Sequence, residues 1–252
     1  MAHGYRTLQH WNQWLSQQFL GKKVLETEEQ QLSSMLERHF GKHALLIGVP
    51  SQHRLLQSTN IACHSLLSPL VSKEKIETYI ESDFHELPIL TGSIDLVILP
   101  HTLEFIDNPR QLLAEACRII KPEGLIVING FNPNSSWGLR HLFVKHKKSV
   151  PWGGNFTHPK KIKTWLKLAD FQMEQHRYIL YRPPMNYPKL YQKFHFLETI
   201  GSVCFPRWGG VYSIIARAKV IPLTPIRTKW KQQLSGIRIS TSISGHIARL
   251  SK

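Results

Sequence analysis

The sequence predicts an α/β protein in which a doubly wound, mainly parallel sheet is covered by helices on both faces. Two continuous apolar runs, at residues 94–99 and 125–128, favour this class, because strands that are apolar on both faces must be buried on both. The segment between them has apolar residues at helical spacing, namely Leu112, Leu113, Ala116, Ile119 and Ile120. Strand, helix and strand in this order predict a parallel βαβ unit with a right-handed crossover.

The predicted helix of this unit has clear start and stop signals. Asn108 is a good N-cap, and Pro109 suits the first helical position, where a backbone N–H would have no partner in any case. Lys121 and Pro122 should end the helix, and Gly124 should supply the turn into the next strand.

Further strands and helices extend the sheet in both directions. Apolar runs predict five more strands, at residues 43–48, 61–67, 76–80, 171–180 and 211–218. Apolar stripes at helical spacing predict two N-terminal helices within residues 5–40, with Gly21 between them. Another helix should start at Thr157 as N-cap, with Pro159 in its first turn, and run to about Ala169.

Length and composition bound the domain organisation. The chain has 252 residues, of which 42% are hydrophobic, which is sufficient for one main core. We expect an N-terminal helical appendage at residues 1–40, an α/β domain at 41–220 with an insertion at 182–210, and a basic tail at 221–252. The aromatic-rich insertion should cap the active face, where its rings could stack on a base, enclose an apolar substrate or simply pack beneath a long loop. The tail has too few apolar residues to offset the entropy of ordering, so we expect it to be flexible.

Positive charge is distributed unevenly along the chain. The formal net charge is +15, and no carboxylate side chain follows Glu198. A second basic run comprises Arg140, Lys145, Lys147, Lys148, Lys160, Lys161, Lys163 and Lys167. Such stripes are typical of proteins that bind nucleic acid or the anionic face of a membrane, although a solvated basic surface explains them equally well.

Metal sites, disulfides and membrane-spanning segments are not expected from the sequence. Cys63, Cys117 and Cys204 are far apart and form no ligand pattern with histidines. No uncharged apolar stretch approaches the roughly 20 residues of a transmembrane helix, and the N-terminus lacks the apolar core of a signal peptide. We therefore expect a soluble cytoplasmic protein.

A series of short motifs surrounds the βαβ unit. In chain order they are Asp83-Phe84, Leu87-Pro88, Ile94-Asp95-Leu96-Val97, Leu103-Glu104 and Arg118-Ile119-Ile120-Lys121-Pro122-Glu123-Gly124. The series resembles the second half of the class I S-adenosylmethionine-dependent methyltransferase domain, in particular the type 11-like members of a small uncharacterised bacterial branch. The resemblance implies a Rossmann-like, seven-stranded sheet and S-adenosylmethionine as the cofactor.

The resemblance also implies roles for residues at the ends of the strands. Asp83 would accept a hydrogen bond from the adenine amino group, Phe84 would pack on the ring, and Pro100 and His101 would face the sulfonium. His101 could act as a general base, since its ordinary pKa of about 6.5 suits proton transfer at neutral pH, or it could be structural.

The first and second strands depart from the family pattern. Of the family's G-x-G-x-G cofactor loop only Gly48 remains, and a leucine holds the acidic position before it. The second strand lacks the terminal carboxylate that would accept from the ribose hydroxyls.

Three residues are candidates for the acceptor side of the site. Asn132 and Trp137 lie in a loop rich in turn formers after a buried strand, which is where open α/β sheets present ligand-binding groups. Trp152 begins the glycine-containing segment 152–157, which we expect to form a mobile lid.

The sequence thus predicts methyl transfer from S-adenosylmethionine to an unidentified acceptor, with a small molecule favoured. The chemistry requires alignment of donor and acceptor more than a dedicated catalytic residue. The main alternative is a non-catalytic protein of the same fold that serves as a basic binding module for RNA or an anionic surface, with the tail as a contact. An RNA methyltransferase is a weaker alternative, because Asn132-Pro133-Asn134 matches only the first two positions of the N/D-P-P-Y/F motif.

Overall fold

The computed structural model describes residues 2–72, 76, 78–144 and 150–219. Its strands are β1 (Phe40–Ile47), β2 (Asn60–Ser68), β3 (Tyr79–Glu81), β4 (Ile94–Pro100), β5 (Ile120–Phe131), β6 (Phe171–Ile179) and β7 (Val211–Ala218). They form one seven-stranded sheet with the order β3-β2-β1-β4-β5-β7-β6. Neighbours from β3 to β5 are parallel, whereas β7 is antiparallel to both β5 and β6. The predicted mainly parallel, doubly wound α/β class is confirmed.

The topology brings the carboxyl ends of all the strands except β7 to the same edge of the sheet. This holds for β6 as well, because β6 and β5 both run opposite to β7. In the central strand β4, every residue from 96 to 100 is buried, as expected for a strand covered on both faces. The edge to which β1–β6 point, called the carboxyl edge below, is where open α/β sheets bind ligands.

Seven α-helices and two 3-10 helices flank the sheet among the described residues. The α-helices are α1 (Ala2–Gln17), α2 (Phe19–Leu36), α3 (Pro109–Ile119), α4 (Ser136–Phe143), α5 (Pro159–Leu168), α6 (Pro188–Lys193) and α7 (Phe196–Cys204), and the 3-10 helices are Pro50–Ser58 and Thr102–Glu104. The start of α3 is as predicted, because the Asn108 side chain accepts a hydrogen bond from the Gln111 N–H at 3.3 Å. None of the helices in the described part of the chain is long and apolar enough to cross a membrane.

Two predicted helix boundaries were wrong. The two N-terminal helices separate at Gln18, which has extended backbone angles, and Gly21 lies inside α2. The glycine is required by packing, since a side chain at position 21 would collide with the Trp14 carbonyl oxygen of α1. The N-cap of α5 is His158, whose Nδ1 accepts a hydrogen bond from the Lys160 N–H at 3.1 Å, and Thr157 lies outside the helix.

Two strands also differ from prediction. β5 begins at Ile120, directly after α3, so Gly124 lies within the strand and not in a preceding turn. The backbone changes direction within the strand at Glu123, which has φ 64. The pairing of β5 with β4 is correspondingly irregular opposite residues 94–96. β3 has three residues, 79–81, where the prediction gave 76–80.

The chain divides into a compact unit at residues 1–220 and a second unit at 221–252. The predicted basic tail and Lys145, Lys147 and Lys148 lie outside the described residues. The insertion at 182–210 forms α6 and α7 after β6, at the carboxyl edge.

Candidate functional site

A small cavity lies at the carboxyl edge beside the end of β3. Asp83 and Phe84 line it together with Phe105, which follows β4, and the side chains of Tyr5 and Leu8 from α1. Its volume is about 110 Å³. An apolar cavity of about 150 Å³ can hold a benzene ring, so this space is of the order of one aromatic ring. We call it the acidic cavity, because the carboxylate residues Asp83 and Asp107 both border it.

A larger polar trench adjoins the acidic cavity, and Tyr5 lines both. The trench has a volume of about 520 Å³ and lies between α1 and the loops that follow β1 and β2. Its polar side chains are Gln9, Asn12, Gln13, Ser16, Gln17, Ser51 and Ser72. One of these amides is already engaged, since Asn12 Oδ1 accepts a hydrogen bond from the Ser51 N–H at 2.9 Å.

The space beside Gly48 is filled by the chain itself. The Gln52 side chain is fully buried, accepts a hydrogen bond from the Val49 N–H at 3.1 Å, and donates one to the Pro100 carbonyl at 2.9 Å. A Cβ at position 48 would lie 2.6 Å from Gln52 Oε1. The glycine therefore allows Gln52 to join the ends of β1 and β4.

His101 lies between two carboxylates at the centre of the carboxyl edge. Its Nε2 is 2.9 Å from Glu28 Oε1 of α2, and its Nδ1 is 3.0 Å from Glu104 Oε2. Glu104 also accepts a hydrogen bond from the Phe131 N–H. All three side chains of this buried triad are 0–1% exposed. The His101 backbone has φ 59, in the left-handed region, which aims the ring back towards α2.

The electrostatics of this buried triad fix the charge of the imidazole. Burial lowers the pKa of His101, but the carboxylates of Glu28 and Glu104 outweigh it and raise the pKa to about 10. Burial raises the pKa of Glu104, although the neighbouring His101 opposes this. The imidazolium form can donate from both ring nitrogens, one N–H to each carboxylate, which agrees with the raised pKa. Both ring nitrogens face buried carboxylates, and His101 lines neither of the two spaces described above, so the general-base role stays a prediction.

An aromatic cover shields the triad from solvent. Trp11 of α1 is 1% exposed, and its ring centroid lies 5.3 Å from that of His101 and 4.7 Å from that of Phe105. Phe131, at the end of β5, also contacts the imidazole, with its centroid 4.2 Å from that of His101 and 6.0 Å from that of Trp11. The N-terminal helices therefore close the part of the edge where the sulfonium was expected.

The three predicted acceptor-side residues do not come together in a cavity of the described structure. The Asn132 amide is buried and donates to the carbonyls of Arg207 and Gly209, both at 2.9 Å. Trp137 is fully buried, donates to the Arg182 carbonyl at 3.0 Å and lies 6.0 Å from Trp152 between ring centroids. In this structure these residues hold the insertion and the segment 150–157 against β5.

Sequence reasoning missed two residues of the site. Glu28 had a usable signal, because it interrupts the apolar stripe of α2 between Val24 and Leu32, at a spacing of four residues on either side. Gln52 had none, since its distant partner Pro100 becomes a neighbour only when β1 and β4 pair.

The linings of the acidic cavity and the trench can be compared with the chemical groups of S-adenosylmethionine, the cofactor that the resemblance implied. Asp83 offers a hydrogen-bond acceptor, and Phe84 and Phe105 offer apolar walls, so the lining of the acidic cavity has the groups that a purine with an amino group requires. The trench offers the amide and hydroxyl groups that a ribose and an amino-acid group require. Gly48, Pro100 and His101 are covered by other side chains and do not line either space. In the described parts of the chain, no group of three or more His, Cys, Asp or Glu side chains is arranged so that it could hold a metal ion.

Comparison with known proteins finds a matching family model, an uncharacterized relative and a more distant relative that is a methyltransferase. A family model described as a methyltransferase domain matches residues 55–128. The chain is 29% identical to the uncharacterized protein YafS of Escherichia coli over 210 residues, which cover 81% of this chain and 80% of YafS. It is 25% identical to a malonyl-[acyl-carrier protein] O-methyltransferase of Haemophilus ducreyi over 101 residues, which are 39% of each protein.

The solved structures agree with the family match. A SAM-dependent methyltransferase from Thermotoga maritima superposes with a TM-score of 0.61 and 18% identity, covering 87% of this chain and all of that one. At this identity the likeness concerns the fold. Residues 55–128 thus match a methyltransferase domain, and the described part of the chain has the fold of S-adenosylmethionine-dependent methyltransferases.

Proposed function

We propose that this protein binds S-adenosylmethionine and transfers its methyl group to an acceptor that enters from the carboxyl edge. The observation that carries the proposal is the acidic cavity. Asp83 and Phe84, whose roles the family resemblance implied, line the same ring-sized space at the end of β3. The relatives and the fold do not favour the alternative of a non-catalytic binding module.

The acidic cavity would hold the adenine of the cofactor, and the trench would hold its more polar half. Asp83 would accept from the adenine amino group, and Phe84 and Phe105 would exclude water from the ring. The trench residues Gln13 and Ser51 are the groups available for the more polar half. When bound, the cofactor supplies an electrophilic methyl on its sulfonium, and the protein contributes alignment and exclusion of water.

The acceptor would be a small molecule. A third cavity, of about 340 Å³, lies between α2 and the insertion. Its lining includes the aromatic rings of Phe19 and Tyr191 and the charged groups of Arg182 and Glu198. This volume lies at the lower end of the range for small-molecule sites, roughly 300–1,000 Å³.

Titration of the purified protein with S-adenosylmethionine tests the proposal. We expect a dissociation constant in the micromolar range or weaker, about 8 kcal/mol at one micromolar, because the glycine loop and the ribose carboxylate are missing. Asp83→Asn should weaken binding tenfold or more, since the amide presents donors as well as an acceptor to the adenine amino group. The measurement is isothermal calorimetry on both proteins.

A matched substitution controls for the change of charge. Asp170→Asn makes the same replacement at the amino end of β6, where φ is 59 and asparagine is well tolerated. It should leave cofactor affinity unchanged, and neither variant should shift the thermal midpoint of the free protein, because both carboxylates are exposed. Equal affinities of wild type and Asp83→Asn would remove Asp83 from the site. The absence of any binding up to millimolar cofactor would overturn the proposal and favour the binding module.

A further inference from the structure

The helix α7 is oriented with its apolar side towards solvent. Phe196, Ile200 and Val203 recur at spacings of four and three residues and are 52%, 48% and 76% exposed. The opposite side carries the contacts to the rest of the protein. Glu198 accepts a hydrogen bond from the Tyr181 N–H at 3.1 Å, and a Cβ at Gly201 would lie 2.7 Å from the Tyr181 ring. No residue of α7 is buried, so the usual inward apolar stripe is reversed.

The exposed stripe belongs to a larger apolar surface on the insertion. Its members, called the outer patch below, are exposed to between 41% and 76% and are Tyr187, Leu190, Phe196, Ile200, Val203, Phe205 and Trp208. Exposed apolar residues that occur singly need no explanation, but seven in one short insertion, on or next to two successive helices, indicate an interaction surface. Four of the seven are aromatic, including one tyrosine and one tryptophan, which are the residues enriched at membrane interfaces.

The charges around the outer patch are almost all positive. Glu198 is the only carboxylate residue between positions 181 and 210, and it is paired with Arg182 at 3.3 Å on the protein side. Lys189, Lys193 and Arg207 are exposed. Arg207 also acts on a neighbouring group, because burial, Lys163 and Arg207 together lower the pKa of His176 to about 4.

We propose that the outer patch docks onto the surface of an anionic phospholipid bilayer. Aliphatic and aromatic side chains would enter the boundary between headgroups and acyl chains, and Lys189, Lys193 and Arg207 would pair with lipid phosphates. A nucleic acid is a poorer match, because nucleic-acid interfaces are polar and strongly charged, whereas Leu190, Ile200 and Val203 offer only aliphatic surface. Since the insertion follows β6, docking brings the carboxyl edge and its cavities close to the lipid headgroups. The proposal does not depend on methyl transfer.

Flotation of the full-length protein with lipid vesicles tests the docking. Vesicles of phosphatidylcholine with about one third phosphatidylglycerol should bind the protein, and vesicles of phosphatidylcholine alone should bind it at least tenfold more weakly. Val203→Asp should reduce binding to the anionic vesicles at least tenfold, because the charge would have to enter the apolar boundary. Leu90→Asp is the matched control, since Leu90 is 79% exposed and lies before β4, at the opposite edge of the sheet. It should leave binding unchanged.

The basic tail can contribute to vesicle binding by charge alone, so insertion of the patch needs its own readout. Brominated acyl chains should quench Trp208, measured as the difference between wild type and Trp208→Phe. Sedimentation without lipid reports whether the patch joins two copies of the chain. Full binding by Val203→Asp, absence of Trp208 quenching, or a lipid-independent dimer that Val203→Asp dissociates would each overturn the proposal.

Discussion

Replacing His101 with alanine is expected to lower the free energy of unfolding by about 3–5 kcal/mol, the loss typical of breaking a buried ion pair. The substitution leaves Glu28 and Glu104 buried, with no cation between them. It also separates α2 from the end of β4, since the imidazole is what joins the two elements. Denaturation by urea at pH 7 measures the change.

The pH dependence of this contribution has a defined sign. The pKa of His101 is about 10 in the folded protein, and it is about 6.5 in an unfolded chain. The folded state therefore binds more protons between these values, and stability must fall as pH rises through the window. The full contribution, a few kcal/mol, is present below about pH 6.5 and is lost as the pH approaches 10.

Two variants make this test specific. His85→Ala removes an exposed histidine near the same edge and should change stability by less than about 0.5 kcal/mol. Glu28→Gln keeps an acceptor for His101 but removes one charge, so the loss of stability should begin at a lower pH than in wild type. A His101→Ala protein that keeps the wild-type pH profile would show that the triad is not charged in the folded state.

Replacing Trp11 with alanine is expected to lower the free energy of unfolding by about 3–5 kcal/mol, as for other large buried side chains. The indole is 1% exposed and contacts the rings of Trp14, His101, Phe105 and Phe131. Its removal opens a cavity directly over the buried triad. Thermal and urea denaturation measure the loss.

The neighbouring tryptophan and a conservative replacement serve as controls. Trp14 is only half-buried, so Trp14→Ala should be less destabilising than Trp11→Ala. Trp11→Phe should be milder as well, because the buried Trp11 N–H has no hydrogen-bond partner among the described residues. If Trp11→Ala and Trp14→Ala were equally destabilising, α1 would not be held over the triad through Trp11.

The sequence was informative where local chemistry decides the structure. Asn108 and Pro109 specify the start of α3 by themselves, and the doubly apolar β4 could only be a covered strand. The break near Gly21 was misplaced because glycine there serves a helix contact, which depends on where α1 crosses α2. Propensity alone cannot distinguish a glycine that ends a helix from one that allows two helices to approach.

The candidate site was less predictable, because its contacts join distant parts of the chain. Glu28 and His101 are 73 positions apart, so nothing in the sequence links the polar position on α2 with the end of β4. Asp83 and Phe84 could be recognised through a series of neighbouring motifs. Gly48 was interpreted as the remainder of a cofactor loop, whereas in the structure Gln52 fills the space beside it.

The two outermost strands of the sheet, β3 and β6, are poorly suited to pairing with a strand from another molecule. One edge is β3, which offers only three residues. The other edge, β6, has a register irregularity between Met173 and Gln175, and Glu174 at that point is engaged by Arg217 and, at 3.4 Å, by His39. Short edges, bulges and charged edge residues are the features by which β-proteins avoid aggregation. Association of this protein with itself is therefore expected to use side-chain surfaces and not an extension of the sheet.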